Sequence, residues 1–132
     1  WLMKTALTLS HDPIDEAALA KARSISDDMG AVVTFSGVVR GREDEAAITS
    51  IDYESFDDMT KRQFELIFTE IEQRLPIESI RLVHRTGIVQ VNESSLWVEV
   101  VAAHRAEAFD ACQYLIDQMK LRVPIWKKPI VT

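Results

Sequence analysis

The sequence holds a single cysteine, Cys112, among its 132 residues. One thiol cannot close an internal disulfide, so a cross-linked scaffold is excluded and a reducing, cytoplasmic compartment is expected. Glycine and proline are sparse at four each, and there is no Gly/Ser linker, internal repeat or low-complexity tract. No apolar run approaches the roughly 20 residues of a membrane-spanning helix, so no membrane partner is expected. The opening WLMKTALTLSHD lacks a charged leader followed by a sustained apolar stretch, and it does not read as a secretion signal. Met3 reads as the natural start, after Trp1 and Leu2. A glycine-rich phosphate loop and a G-x-S-x-G elbow are both missing. His11 and His84 have no ligand-spaced partners, so neither a metal site nor a cofactor is expected. Finally, the formal net charge is -6. That excess argues against a nucleic-acid binder, because a phosphate backbone would be repelled.

What is present is an ordinary globular composition, 47% hydrophobic and 27% charged. The length suits one domain over residues 1–132. Residues 3–9 alternate loosely as a first strand. HDPIDEAALAKARS supplies a helix start, with Asp12 or Asp15 as N-cap and Pro13 in the first turn. GAVVTFSGVVR, from Gly30 to Arg40, is β-branched and aromatic between glycines and predicts a buried strand ending on a charge. GREDEA predicts a polar turn, and Ala47 to Phe56 another strand. Met59, Phe64, Ile67, Phe68, Ile71 and Leu75 follow helical spacing up to Pro76. IRLVHRTGIVQV and SSLWVEVVAAH predict two or more antiparallel strands joined through the turn-like Asn92–Ser95. The last helix places Phe109, Cys112, Leu115, Ile116, Met119 and Val123 on one face before Pro124 stops it. The order β-α-β-β-α-β-β-α-β implies an α+β fold, with a mixed, largely antiparallel sheet and flanking helices.

The charges are unevenly placed. From Gln118 to Thr132 there is no acid, while Lys120, Arg122, Lys127 and Lys128 crowd around Pro124 and Trp126. A helix dipole explains cations in a last turn, hence Lys120 and Arg122. It does not explain Lys127 and Lys128 beyond the proline. A lysine held among other cations has a lowered pKa and can act as nucleophile or general base. His104 and Arg105 open the last helix, where free N–H groups attract anions, and Arg40 closes the Gly30–Arg40 strand. Cys112, in register with the apolar stripe, reads as a core residue.

Together GAVVTFSGVVR, IDYESFDDM, HRTGIVQVNESSLWVEVVAAHR, AFDACQYLIDQMK and VPIWKK resemble, in order and separation, the large catalytic subunit of molybdopterin synthase. The resemblance spans roughly Gly30 to Lys128. It implies an α/β-hammerhead-like fold and a sulfurtransferase that converts cyclic pyranopterin monophosphate (precursor Z) to molybdopterin. The two sulfurs would come from the C-terminal Gly-Gly thiocarboxylate of a small ubiquitin-like subunit. It further implies a homodimer of large subunits within a heterotetramer. Carried over, the substrate-contacting residues are Val38, Val39, Arg40, His104, Arg105 and Lys128, with His104 and Arg105 contributed across the dimer. Lys120 and Lys127 are the implied catalytic pair. Pro129, where the family usually has an acid, and the acidic GREDEAAIT depart from the pattern and bear on the rim of the site. The alternative is a non-catalytic module that binds a ubiquitin-like partner or a phosphorylated pterin, which would not need both lysines.

Overall fold

The computed structural model describes residues 2–132; Trp1 lies outside them. The elements run β1 (Lys4–Ser10), α1 (Glu16–Lys21), β2 (Ala31–Val38), β3 (Arg42–Glu43), β4 (Ala46–Ser55), α2 (Asp57–Arg74), β5 (Ile77–Arg85), β6 (Gly87–Gln90), β7 (Ser94–Ala102), α3 (Arg105–Arg122) and β8 (Ile125–Val131). The fold is α+β, as the element order implies, but its strands form two sheets. One has the order β1-β5-β7-β2, and the other has β3-β4-β6 with β8 also on β4. Only the β1–β5 pair is parallel among the paired strands. β5 and β7 pair antiparallel as expected, whereas β6, between them in sequence, crosses to the second sheet beside β4.

Helices α2 and α3 cover one face of the first sheet. Phe64, Ile67, Phe68 and Ile71 of α2 and Ala108, Ala111, Cys112 and Leu115 of α3 meet Ile80, Leu82, Val98 and Val100 in the main core. Phe109 departs from the expected stripe and is 59% exposed. The face that docks is the small one running from Ala108 through Ala111 to Leu115, one residue away, and its alanines let the helix lie close to the sheet. Met59 is likewise outside its helix's core face, where Thr60 is buried instead. A second, smaller core joins Val39, Ile48, Ile51, Tyr53 and Val89.

Two further expectations are corrected. Pro13 precedes the first turn, and Asp15 is the N-cap, accepting from the Ala18 amide at 3.0 Å. β2 is not a buried strand: it lies at the sheet's edge, and Val32, Phe35 and Val38 remain partly exposed. GREDEA is a tight β3–β4 hairpin with Asp44 at φ 54. β8 forms an edge of its sheet, where Pro129 removes no needed donor. No helix among the described residues is long and apolar enough to cross a membrane.

The end of α3 is tied to α2. Arg122 donates Nη1 and Nη2 to the two Glu70 oxygens at 2.7 Å each, and the Tyr114 hydroxyl donates to Oε1. Arg122 is thus a tether, not a solvated neighbour. Its guanidinium, then the Tyr114 hydroxyl, hold the Glu70 carboxyl down at about 2. A depressed carboxylate stabilises above its ordinary value and loses that contribution as pH falls through the folded one. Glu70→Gln should therefore cost about 1 kcal/mol at pH 7, discounted because the pair is partly exposed. The melting temperature should fall by about 4 °C. That gap should narrow between the ordinary carboxylate value of 4.5 and about 2. Thermal melts of both proteins across this range check it, and a gap independent of pH would contradict it.

Candidate active site

β2 and β7 pair regularly as far as Gly37 opposite Leu96, then slip so that Val38 lies opposite Ser94. Ser95 is the extra residue of this bulge, and its hydroxyl donates to the Gly37 carbonyl at 3.2 Å. The slip turns Val38 into a cavity of about 420 Å³, within the range of small-molecule sites. This cavity opens at the helix-facing end of the first sheet. Phe35, Gly37, Val38 and Arg40 form one wall, with His84, Ser95 and Leu96 behind them. Ile116, Met119, Lys120 and Val123 from the last turns of α3 form another, and Tyr53, Ile125 and Lys127 close it.

Local rules place each cation. Lys120 stands in the last helical turn, where the dipole favours positive charge. Pro124 ends the helix and β8 returns antiparallel along β4, which sets Lys127 opposite Tyr53 and Lys128 opposite Asp52. Paired residues share a face and neighbours alternate, so Lys127 joins the cavity while Lys128 points to the other side. Arg40 follows the strand bulge. Three cations thus line one small cavity, and no carboxylate does. The nearest acid contact is Glu43 Oε1 in the β3–β4 hairpin, 3.8 Å from Lys127 Nζ.

Of the residues singled out from sequence, Val38, Arg40, Lys120 and Lys127 come together here. Val39 does not: it is 2% exposed, packed in the second core, and its N–H and C=O bond Glu93 and Asn92. Lys128 sits on the opposite face of β8. His104 and Arg105 lie at the far end of α3, exposed, about 22 Å from Lys120 at 1.5 Å rise per residue. Tyr53, His84 and Ser95 escaped the sequence reading. Tyr53 lies between Asp52 and Glu54 in a strand with no feature pointing to a site, His84 was weighed only as a metal ligand, and a bulge leaves no local signature for Ser95. Burial pushes the Tyr53 phenol up, and Cys112 is buried in the main core with its thiol likewise pushed up. No cluster of His, Cys, Asp or Glu able to hold a metal occurs among the described residues.

The fold and this cavity define an α+β protein with a cationic site suited to a small anionic molecule. The MoaE protein family matches the chain over residues 9–122. The molybdopterin synthase catalytic subunit of Thermoplasma volcanium is 40% identical over 104 residues, covering 79% of this chain and 76% of its own. That of Pyrococcus abyssi is 36% identical over 130 residues, covering 96% and 86%. The human one is 36% identical over 126 residues, covering 96% of this chain and 64% of its own. The crystal structure of molybdopterin synthase from Staphylococcus aureus superposes with a TM-score of 0.84 at 30% identity, over 95% of this chain and 90% of that one. A chain of the Helicobacter pylori complex of subunits 1 and 2 of molybdopterin-converting factor shares the fold, with a TM-score of 0.78 at 24% identity. The chain belongs to the MoaE family, and its function lies with the catalytic subunit of molybdopterin synthase in molybdenum cofactor biosynthesis.

Proposed function

We propose that this chain carries out sulfur transfer to precursor Z, taking two sulfurs from the thiocarboxylate of a small ubiquitin-like subunit in the cytoplasm. The observation that carries this reading is the convergence of Arg40, Lys120 and Lys127 on one cavity without a lining carboxylate. Substrate phosphate, thiocarboxylate and the charge that develops as sulfur adds are all anionic. A partly enclosed cationic site stabilises each of them more than water does. Arg40 provides a planar fork for the phosphate. Lys120, on the helical wall, assists proton transfer or holds the carrier's terminal carbonyl. Lys127, across the cavity, neutralises charge as oxygen leaves.

The partner arrangement follows the same logic. The Helicobacter relative's complex with a second subunit supports a small carrier here. His104 and Arg105 are too far along α3 to serve their own cavity, so they act only if a second copy presents them, as in a homodimer within a heterotetramer. Mixing inactive Lys120→Ala and Arg105→Ala chains should then regain part of the wild-type turnover, through dimers with one intact site. No regain from two separately inactive, folded variants would exclude a shared site.

The deciding assay incubates the chain with a thiocarboxylated small subunit and precursor Z and measures molybdopterin. Product is expected. An intact complex that makes none would favour the binding module instead.

A further inference from the structure

One titratable group in the cavity wall is left idle by this scheme. His84 lies near the end of β5, 5% exposed, opposite Leu96 of β7. It shares the helix-facing side of the sheet with Ile80 and Leu82, which alternate with it along the strand. Its Nδ1 sits 2.7 Å from the Arg85 carbonyl oxygen. A carbonyl only accepts, so Nδ1 carries the proton and, in the neutral ring, Nε2 carries the lone pair. Burial holds the imidazole below its usual value, outweighing the opposite pull of the Arg85 bond. The Tyr53 ring meets it edge to face, with centroids 5.3 Å apart, and so fixes its plane. Tyr53 in turn shares a face with Lys127. A neutral, oriented imidazole with one free basic nitrogen therefore lines the same cavity as both lysines.

Resting on the sulfur-transfer reading, we propose that His84 is the general base that activates water to release the product from the carrier. The need for such a base follows from the chemistry. When the thiocarboxylate sulfur attacks the substrate carbon, a C–S bond forms there as the C–O bond to the departing oxygen breaks, and that sulfur remains bonded to the carrier's terminal carbonyl carbon, as a thioester. Release requires water. A C–O bond forms, the C–S bond breaks, and its electron pair stays on sulfur as a thiolate on the product. One water proton passes to Nε2 of His84, the other leaves the new carboxylic acid for solvent, and the carrier regains a carboxylate. Each of the two sulfurs requires one such hydrolysis. The ammonium groups of Lys120 and Lys127 neutralise the oxyanion and the departing thiolate, while His84 supplies the base that two ammonium groups cannot.

His84→Asn is the informative variant, because its amide N–H stands near the Nδ1 position and keeps a donor for the Arg85 carbonyl while removing the base. With thiocarboxylated carrier and precursor Z, kcat should fall by about 100-fold or more. KM for the pterin should stay within about threefold of wild type. Intact-mass spectrometry should show a covalent carrier–pterin adduct accumulating, a signature that a merely structural role would not produce. Turnover close to wild type, or a loss of turnover without the adduct, overturns the assignment. If His84→Asn fails to fold, His84→Gln is scored by the same criteria, and failure of both to fold marks His84 as structural. A wild-type chain that makes no molybdopterin would overturn the sulfur-transfer reading itself, whereas an active assay in which the variants match wild type overturns only the role of His84.

Discussion

Lys120→Ala should lose about 10²- to 10⁴-fold in molybdopterin formation with almost no change in melting temperature. The two halves of this expectation have separate physical grounds. Lys120 is exposed at the mouth of the cavity, in the last turn of α3. Removing its charge forfeits a dipole interaction of only a few tenths of a kcal/mol. The helix end stays anchored through Arg122 and Glu70, which the substitution does not touch. The catalytic loss is large because the ammonium group acts on atoms that change charge and protonation during sulfur transfer. Lys120→Arg sharpens the test. A guanidinium keeps the positive charge but gives up no proton at neutral pH, so binding of the carrier should persist while turnover stays low. Lys128→Ala provides the contrast, since Lys128 lies on the other face of β8 and should keep most activity. Near wild-type turnover by Lys120→Ala would remove Lys120 from the mechanism. Equal losses from Lys120→Ala and Lys128→Ala would instead point to a general electrostatic effect on carrier docking.

How far these features were legible in the sequence depended on the range over which each is encoded. α2 and α3 were visible because helical spacing and the prolines at 76 and 124 are local signals. Lys120 and Lys127 stood out because an acid-free run in an acidic chain is a one-dimensional fact. Their convergence was not visible. It needs β8 to fold back along β4, a pairing between residues about 75 positions apart. Phe109 misled because hydrophobicity alone favours the bulky residue, while close helix–sheet packing selected the alanines beside it. Val39 was named with Val38 only through the family resemblance, and it packs in the second core, whereas Ser95 was missed for a structural reason. A bulge shifts which side of a strand each residue faces, and nothing in the Gly30–Arg40 stretch announces it. The single sheet expected from the strand count became two because β6 crosses to β4, and a short strand between two longer ones carries no mark of its partner.

Glu99→Ala should be strongly destabilising although it lies away from the cavity, costing about 3 kcal/mol and lowering the melting temperature by about 12 °C. Glu99 is 1% exposed in the middle of β7, on the side of the first sheet away from α2 and α3. A carboxylate there is tolerated only because its oxygens are bonded from both sides. Arg81 Nε and Nη2 reach it at 2.9 and 2.7 Å, and Arg23 Nε at 2.7 Å. Arg81 also donates to the Leu19 carbonyl and lies over the Trp97 ring, so the cluster clamps α1 to the sheet. Burial alone would raise the Glu99 carboxyl, but the hydrogen bonds from Arg81 and Arg23 outweigh it and the net direction is down. The carboxylate therefore stabilises the fold above the ordinary value of 4.5, and that contribution is lost as pH falls. Alanine leaves two arginines facing a sheet without their counter-charge. Their partial exposure, 21% for Arg81 and 28% for Arg23, keeps the cost at the low end for a broken buried pair. Glu99→Gln keeps the shape and an acceptor, so it should lose less, about 1–2 kcal/mol. Hydrogen exchange should then locate the damage in α1 and the Arg23 segment before the rest of the fold. Turnover per folded molecule at low temperature should be retained, because the sheet separates this cluster from the cavity. A melting temperature within about 3 °C of wild type for Glu99→Ala would mean that the arginines are already satisfied by solvent and that the clamp contributes nothing.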